Sequence, residues 1–160
     1  MFWFFFTTLI ISIILLFYLW SLKKRFDPLQ LVLIFLFTSY ICQNTYYKLF
    51  SPYDRISIAD SGWAKLTVKL HFGIILPVLL IGVMSFFIVR KRLIALITSA
   101  LWVLFVLGSE KLYLLLGVLE LGGKNWYPAI DLCFAILLVF ISIAGMKFLN
   151  RLLANERVIS

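Results

Sequence analysis

Six polar side chains stand near one end of long apolar runs, and their types are those that move protons or bind ligands in membrane proteins. They are Gln43, Asn44, Lys69, His71, Glu110 and Asp131. A histidine beside a carboxylate can act as a general base, and carboxylates within membrane helices often belong to proton relays. The first question is whether these residues meet or only lie at the membrane surface.

Their depth in a membrane follows from the helical rise of about 1.5 Å per residue. Counting from the basic end of each run places Glu110 at about 26 Å and His71 at about 27 Å, in a hydrocarbon core about 30 Å thick. Lys69 falls at about 30 Å and Asp131, the deepest acid, at about 22 Å. The other two lie at a similar level. We therefore predict an outer half that holds the polar residues and an inner half nearly free of them.

Two interpretations of this polar cluster stay open. Residues at shallow depth can snorkel to water, cap helix ends or pair with one another, as a Lys69–Glu110 ion pair would. Alternatively, the six residues converge between helices as a pocket open to the outside, because ionisable groups that face lipid are costly. Asp131 is the best candidate for such a pocket.

Motifs of catalysis and metal binding are absent from the sequence. It has no phosphate-binding loop, nucleophile elbow or HExxH pattern. One histidine with scattered acids makes a poor metal site, since catalytic zinc normally takes three protein ligands. We expect no enzyme activity, no metal and no cofactor, and an enzyme using His71 with Glu110 is the least favoured hypothesis. Cys42 and Cys133 form no CxxC pair and are predicted to be buried thiols that pack as small apolar residues.

The composition indicates what must hold these residues in place. Of 160 residues, 64% are hydrophobic and 14% are charged, and the net charge is +8. A soluble domain of this size cannot hide so much apolar surface, whereas lipid can cover it. The positive charges lie in short clusters between apolar runs, which is typical of cytoplasmic helix ends and not of nucleic-acid binding. The predicted partner is therefore the lipid bilayer, with no nucleic acid.

We predict an all-α integral membrane protein, a bundle of five transmembrane helices in a single membrane domain covering residues 1–160. Each run approaches the about 20 residues that a span requires. The spans are predicted at about 2–20, 29–46, 66–89, 93–112 with a possible interfacial extension to 121, and 126–146. The first run lacks a basic n-region and a cleavage site, so we interpret it as a retained span.

The fourth run is too long to be one straight span. A helix from Leu93 to Leu119 would measure about 40 Å, so Glu110 and Lys111 are predicted to mark its exit from the core. The residues beyond would extend along the interface and end at Gly122 and Gly123.

The basic clusters determine the predicted orientation. Residues 23–25, 90–92 and the C-terminal tail, with Lys147, Arg151 and Arg157, all fall on one side of the five spans. The positive-inside rule places that side in the cytoplasm, so the N-terminus lies outside and the C-terminus inside. Pro77 is expected to kink the third span. An outer aromatic belt is predicted from Tyr46, Tyr47, Trp63, Trp126 and Tyr127.

The stretch SEKLYLLLGVLELGGKNWYPAID, residues 109–131, resembles a family of small, uncharacterised five-span membrane proteins common in endospore-forming Firmicutes. In that family a Glu-Lys-like pair ends the fourth span and a Trp-containing segment precedes the fifth, which Glu110, Lys111 and Trp126 match. The polar loop after the second span and Pro77 also fit, whereas His71 and the cysteines lie outside the pattern. The resemblance implies a bacterial plasma membrane and a role in sporulation or the envelope, with no known activity.

The sequence is consistent with two functional hypotheses. The preferred hypothesis is a multi-pass plasma-membrane protein acting as a non-catalytic accessory or interaction subunit, with a protein partner or as a homo-oligomer. It rests on the lack of catalytic motifs and on an apolar perimeter that is large for the chain length. The alternative is a small transporter or small-molecule binder that uses the outward-facing polar cluster.

Overall fold

The computed structural model describes residues 2–50, 56–89, 91–122 and 128–155, with the backbone alone for residues 46–50. It is about 87% helical, as the all-α prediction requires. The helices are α1 (Phe2–Ser21), α2 (Pro28–Phe50), α3 (Gly62–Ile88), α4 (Arg92–Leu115) and α5 (Pro128–Asn155). A 3₁₀ turn, Leu22–Lys24, follows α1.

Among the described residues, four helices are long and apolar enough to cross a membrane, namely α1 with its 3₁₀ turn, α3, α4 and α5. The remaining predicted span coincides with α2, which has 23 residues. The middle and C-terminal part of α2 carries Thr38, Ser39, Gln43, Asn44 and Thr45. These polar residues lower the hydropathy of α2 below that of the other four helices.

The helices form a ring of four with one helix outside it. Helix α3 packs against α2 and α4, and α5 closes the ring by packing against both of them. Helix α1 packs on the outer side of α3. In the contact of α2 with α5, Gly145 is needed because a Cβ atom there would overlap the Phe37 ring.

Helix α3 changes its winding in the middle. A π-helical segment, His71–Ile75, separates two α-helical parts. Pro77 has no N–H group, so the Gly73 carbonyl four residues earlier loses its usual donor. Ser39 Oγ of α2 donates to that carbonyl at 2.8 Å, and Trp102 Nε1 of α4 donates to the Leu76 carbonyl at 3.1 Å. The irregularity expected at Pro77 is therefore a π segment, and one carbonyl within it and one directly after it are bonded by neighbouring helices.

Helix α4 ends earlier than the predicted interfacial extension. Gly117 has φ 66°, its N–H bonds the Leu114 carbonyl at 3.2 Å, and the Val118 N–H bonds the Tyr113 carbonyl at 2.9 Å. This pair of bonds is the Schellman motif, which favours glycine at the left-handed position. The prediction that Gly122 and Gly123 end the helix is wrong, because Gly117 already does so.

A two-stranded antiparallel sheet occupies the residues that follow. Strand β1 (Ile56–Ile58) pairs with β2 (Leu119–Leu121), and Ser57 lies opposite Glu120. Three-residue strands give too short an alternation to be recognised in a sequence. We call the end of the molecule that carries this sheet the sheet end.

The opposite end, which we call the basic end, carries the residues Lys23, Lys24, Arg25, Lys91 and Arg92. Arg25 donates to Ser85 Oγ at 2.9 Å and lies 5.5 Å from the Phe86 ring centroid. The Gln30 amide donates to Asn150 Oδ1 in a stretch of α5 beyond the predicted span end at residue 146. The prediction of an inner half nearly free of polar groups is thus wrong in part, since these polar residues bond one another across helices.

Candidate functional site

Burial divides the six residues of the predicted cluster into two sets. Gln43 and Lys69 are exposed and Asn44 is half-buried, with its amide donating to the Tyr40 carbonyl of its own helix at 3.0 Å. His71, Glu110 and Asp131 are each only 2% exposed. The buried three are therefore the residues that can form a site.

The packing contact between α3 and α4 separates His71 from Glu110 and Asp131. His71 and its neighbour Phe72 line two different cavities, and so do Ser109 and Glu110 on α4. His71 and Ser109 face α1, whereas Phe72 and Glu110 face the interior of the four-helix ring. The predicted cluster is in fact two sites on the two sides of one helix pair.

The first site, which we call the His71 pocket, is a cavity of about 310 Å³ between α1, α3 and α4. Its walls are mainly apolar, and its polar groups belong to His71, Ser109, Tyr113, Thr7 and Thr8. Both threonine hydroxyls donate to carbonyls of α1 itself, four residues back. The hydrogen-bonding groups that remain for a ligand are therefore the His71–Ser109 pair and the Tyr113 hydroxyl.

This pair can present either a donor or an acceptor to the pocket. His71 Nε2 lies 3.0 Å from Ser109 Oγ, which itself lies 2.8 Å from the Val106 carbonyl. When Ser109 donates to Val106, Nε2 must carry the proton and Nδ1 is an acceptor; when Ser109 donates to Nε2, Nδ1 carries the proton. Nδ1 itself has no hydrogen-bond partner among the described residues. It can accept from a hydroxyl group or donate to a carbonyl group.

Aromatic rings hold the imidazole in this position. Tyr113 lies edge-on to His71 at 4.9 Å between ring centroids, and Phe72 does so at 5.2 Å. Phe105 is tilted against the imidazole at 6.1 Å between ring centroids. The ring plane is therefore set by packing as well as by Ser109.

The second site brings Glu110 of α4 and Asp131 of α5 to one small cavity inside the ring. Its volume is about 10 Å³, which is about the space that one water molecule needs. Cys42 and Thr45 of α2 also line it. Of the six predicted residues, Glu110 and Asp131 thus lie together between helices, apart from His71.

Two pairings considered from the sequence do not occur. Lys69 is exposed while Glu110 is buried, and no salt bridge joins these two described residues. His71 and Glu110 line different cavities, so their use as one general-base pair has no geometric support. Within the described ranges no three His, Cys, Asp or Glu side chains gather as a metal site would need.

The cysteines and the aromatic belt fit the predictions only partly. Cys42 is buried as predicted, but Cys133 is exposed, and both are free thiols. Trp63 is 41% exposed and packs edge-on against Phe2 at 5.2 Å. The side chains of Tyr46 and Tyr47, and residues Trp126, Tyr127 and Arg90, lie outside the described residues.

The sequence does not predict Ser109, Tyr113 or α1 as parts of the His71 pocket. Ser109 directly precedes Glu110, so the same depth arithmetic would have placed it near the level of His71. The packing of the helices decides which faces of α1 and α4 contact His71. No spacing of residues in the sequence indicates these faces.

No protein-family model, curated protein or solved structure matches this chain. The resemblance to a five-span family of endospore-forming Firmicutes stays a prediction.

Proposed function

We propose that this chain is a five-span plasma-membrane protein that binds a lipid-soluble small molecule in the His71 pocket. The ligand class is an apolar body with one hydroxyl or carbonyl group. The observation that carries the proposal is the pairing of a largely apolar cavity of about 310 Å³ with one imidazole nitrogen that no described residue bonds. Small-molecule sites generally combine apolar walls with a few placed polar groups.

The pocket lies where a molecule dissolved in lipid can reach it. Thr7 and Ile11 of α1 and Phe105 and Leu112 of α4 line the cavity, and all four are exposed on the sides of their helices. In a membrane such surfaces face lipid. Entry from the bilayer needs no aqueous channel, which suits an apolar ligand.

The proposed topology includes α2 as the fifth span. Helix α2 is about 35 Å long at the usual rise and packs between α3 and α5. Its polar residues face neighbouring helices in part, as Ser39 does toward Gly73. The basic end contains clustered Lys and Arg side chains, so the positive-inside rule places it in the cytoplasm, with the N-terminus outside and the C-terminus inside.

The test uses the fact that the chain has one histidine. We expect the imidazole NMR signals of His71 in nanodiscs to shift when 4-pentylphenol is added, and to shift much less with pentylbenzene, which lacks the hydroxyl. Gly108→Phe should abolish the response, because Gly108 lines the pocket and a Cβ there meets nothing within 4 Å.

The matched control is Leu101→Phe, on the exposed face of α4 and outside the pocket, which should leave the response unchanged. Equal shifts with the phenol and the hydrocarbon would reject the hydrogen-bonding role of His71. A response that persists in Gly108→Phe would reject the pocket.

A second candidate, an accessory subunit or homo-oligomer, is favoured by α1. Only 11% of its most apolar stretch is buried, and Trp3, Phe17 and Trp20 are strongly exposed. A partner helix could cover this face. In a Cys133→Ser background, Phe17→Cys should then form cross-linked dimers in nanodiscs, while Phe140→Cys on α5 should not; a chain that stays monomeric with both variants contradicts this candidate.

A further inference from the structure

A second groove lies between α1 and α2 at the basic end, on the other side of α1 from the His71 pocket. Its volume is about 390 Å³. Leu16, Leu19 and Trp20 form the α1 wall, and Leu31, Val32 and Phe35 form the α2 wall. Both helices pack against α3 and little against each other, so a wedge of apolar surface is left between them.

A cation stands at the mouth of this groove. Lys23 lines it, and the Lys23 ammonium lies 5.0 Å from the Trp20 ring centroid. Lys24 and Arg25 follow directly, although Arg25 is already bonded to Ser85. The nearby Asp27 carboxylate accepts from the Leu29 N–H at the start of α2. The mouth is therefore positive while the walls are apolar.

We propose that this groove binds an anionic phospholipid, with one acyl chain between α1 and α2 and the phosphate on Lys23. The groove runs beside two membrane helices, as an acyl chain does, and its charged end is at the level of the headgroups. Lysines near the cytoplasmic surface attract anionic lipids, and tryptophan is enriched at the same interface. Charge complementarity thus selects the headgroup and the apolar walls hold the chain.

This inference is separate from the ligand proposed for the His71 pocket. It uses the proposed orientation only to assign the lipid to the cytoplasmic leaflet. Either site can fail its test while the other passes.

The experiment is native mass spectrometry of the full chain in detergent, with phosphatidylglycerol or phosphatidylcholine carrying identical acyl chains. The wild-type chain should retain phosphatidylglycerol preferentially. Lys23→Gln should lower that retention about fivefold, the effect expected of one basic side chain near an anionic headgroup. Lys24→Gln removes the same charge one residue away and outside the groove, and should have a much smaller effect.

A second pair of variants tests the groove without changing charge. Val32→Trp should fill it and lower phosphatidylglycerol retention, while Leu36→Trp, exposed on the same helix but outside the groove, should not. Equal retention of the two lipids, equal effects of the two lysine variants, or no effect of Val32→Trp would each overturn the proposal. If Val32→Trp does not fold, the lysine pair still decides.

Discussion

Helices α1 and α3 have almost the same mean hydropathy but opposite positions in the fold. In its most apolar stretch α3 is 72% buried, whereas α1 is 11% buried. In water, similar hydropathy would favour similar burial. In lipid, which is as apolar as leucine, hydropathy does not select the central helix, and packing and hydrogen bonds between helices do.

The two helices differ in where their hydrogen bonds go. The hydroxyls of Thr7, Thr8 and Ser12 in α1 all donate to carbonyls of α1 itself. Helix α3 is instead bonded from outside: Ser39 donates to its Gly73 carbonyl and Trp102 to its Leu76 carbonyl. Its own His71 and Ser85 side chains add bonds to Ser109 and Arg25. The backbone irregularity before Pro77 supplies carbonyls that neighbouring helices can reach.

The largest expected difference comes from truncating one isoleucine in each helix. Ile81→Ala in α3 removes a side chain that is 0% exposed, and Ile14→Ala in α1 removes one that is 60% exposed. We expect Ile81→Ala to cost about 2 kcal/mol, the low end of the range for soluble cores, because lipid removes part of the transfer free energy. Ile14→Ala should cost much less.

Unfolding of both variants in bicelles by SDS titration measures this difference. Equal losses of unfolding free energy in the two variants would show that the contrast between α1 and α3 is not one of packing.

A smaller effect is expected from two half-buried serines. Ser39→Ala removes a hydrogen bond to another helix and should cost about 1 kcal/mol. Ser99→Ala removes a hydrogen bond to the Ala95 carbonyl of the same helix. Because that carbonyl keeps its backbone N–H donor, the substitution should change the free energy of unfolding very little.

The double variant Ser39→Ala with Pro77→Ala sharpens this result. Pro77→Ala restores an N–H group that can donate to the Gly73 carbonyl. The loss of the Ser39 hydroxyl should therefore cost less in the Pro77→Ala background. The same unfolding measurement gives the coupling free energy. An unchanged cost of Ser39→Ala would contradict the role given to Pro77.

Two helix glycines give a still smaller contrast. Gly108→Ala should be stabilising by about 0.5 to 1 kcal/mol, since the new Cβ meets nothing within 4 Å and alanine favours the helix. Gly82→Ala should gain less, because its Cβ would lie 3.1 Å from Tyr18 Oη where α1 packs on α3. Thermal unfolding of the two variants ranks them, and an equal gain would mean that α1 moves away from α3 at no cost.

The smallest effect is expected outside both helices, at the turn that leads into α3. The Lys65 ammonium, 2.6 Å from Asp60 Oδ1, lowers the pKa of that carboxyl below its usual value. A lowered pKa in the folded state stabilises above the usual pKa and is lost as the pH falls through the lowered one. Asp60→Asn should therefore reduce the unfolding temperature slightly at neutral pH and not at all in acid. Because both groups are exposed, about 0.5 M salt should remove the difference.

Much of the fold was predictable because its signals are local. Long apolar runs separated by basic clusters predicted the helices, and the predicted start of the second span at about residue 29 agrees with the start of α2 at Pro28. The sheet was missed because three residues per strand make no pattern, and the helix end at Gly117 was missed because Gly122 and Gly123 offered a competing signal. The predicted membrane depths placed Glu110 and Asp131 at a similar level. Depth alone could not separate these two acids from His71, which lines a different cavity.

The sequence by itself determined the existence and order of the helices and the basic character of one end, since these follow from hydropathy and charge along the chain. Only the tertiary structure decided that α3 is central and α1 peripheral, since their mean hydropathies are nearly equal. It also decided that one predicted polar cluster is two sites, because the direction in which a side chain points depends on which helices pack together. In a membrane that choice depends on close helix contacts at glycines and on backbone carbonyls and hydroxyls, whose hydrogen-bond partners in other helices or turns lie 26 to 60 residues away along the chain.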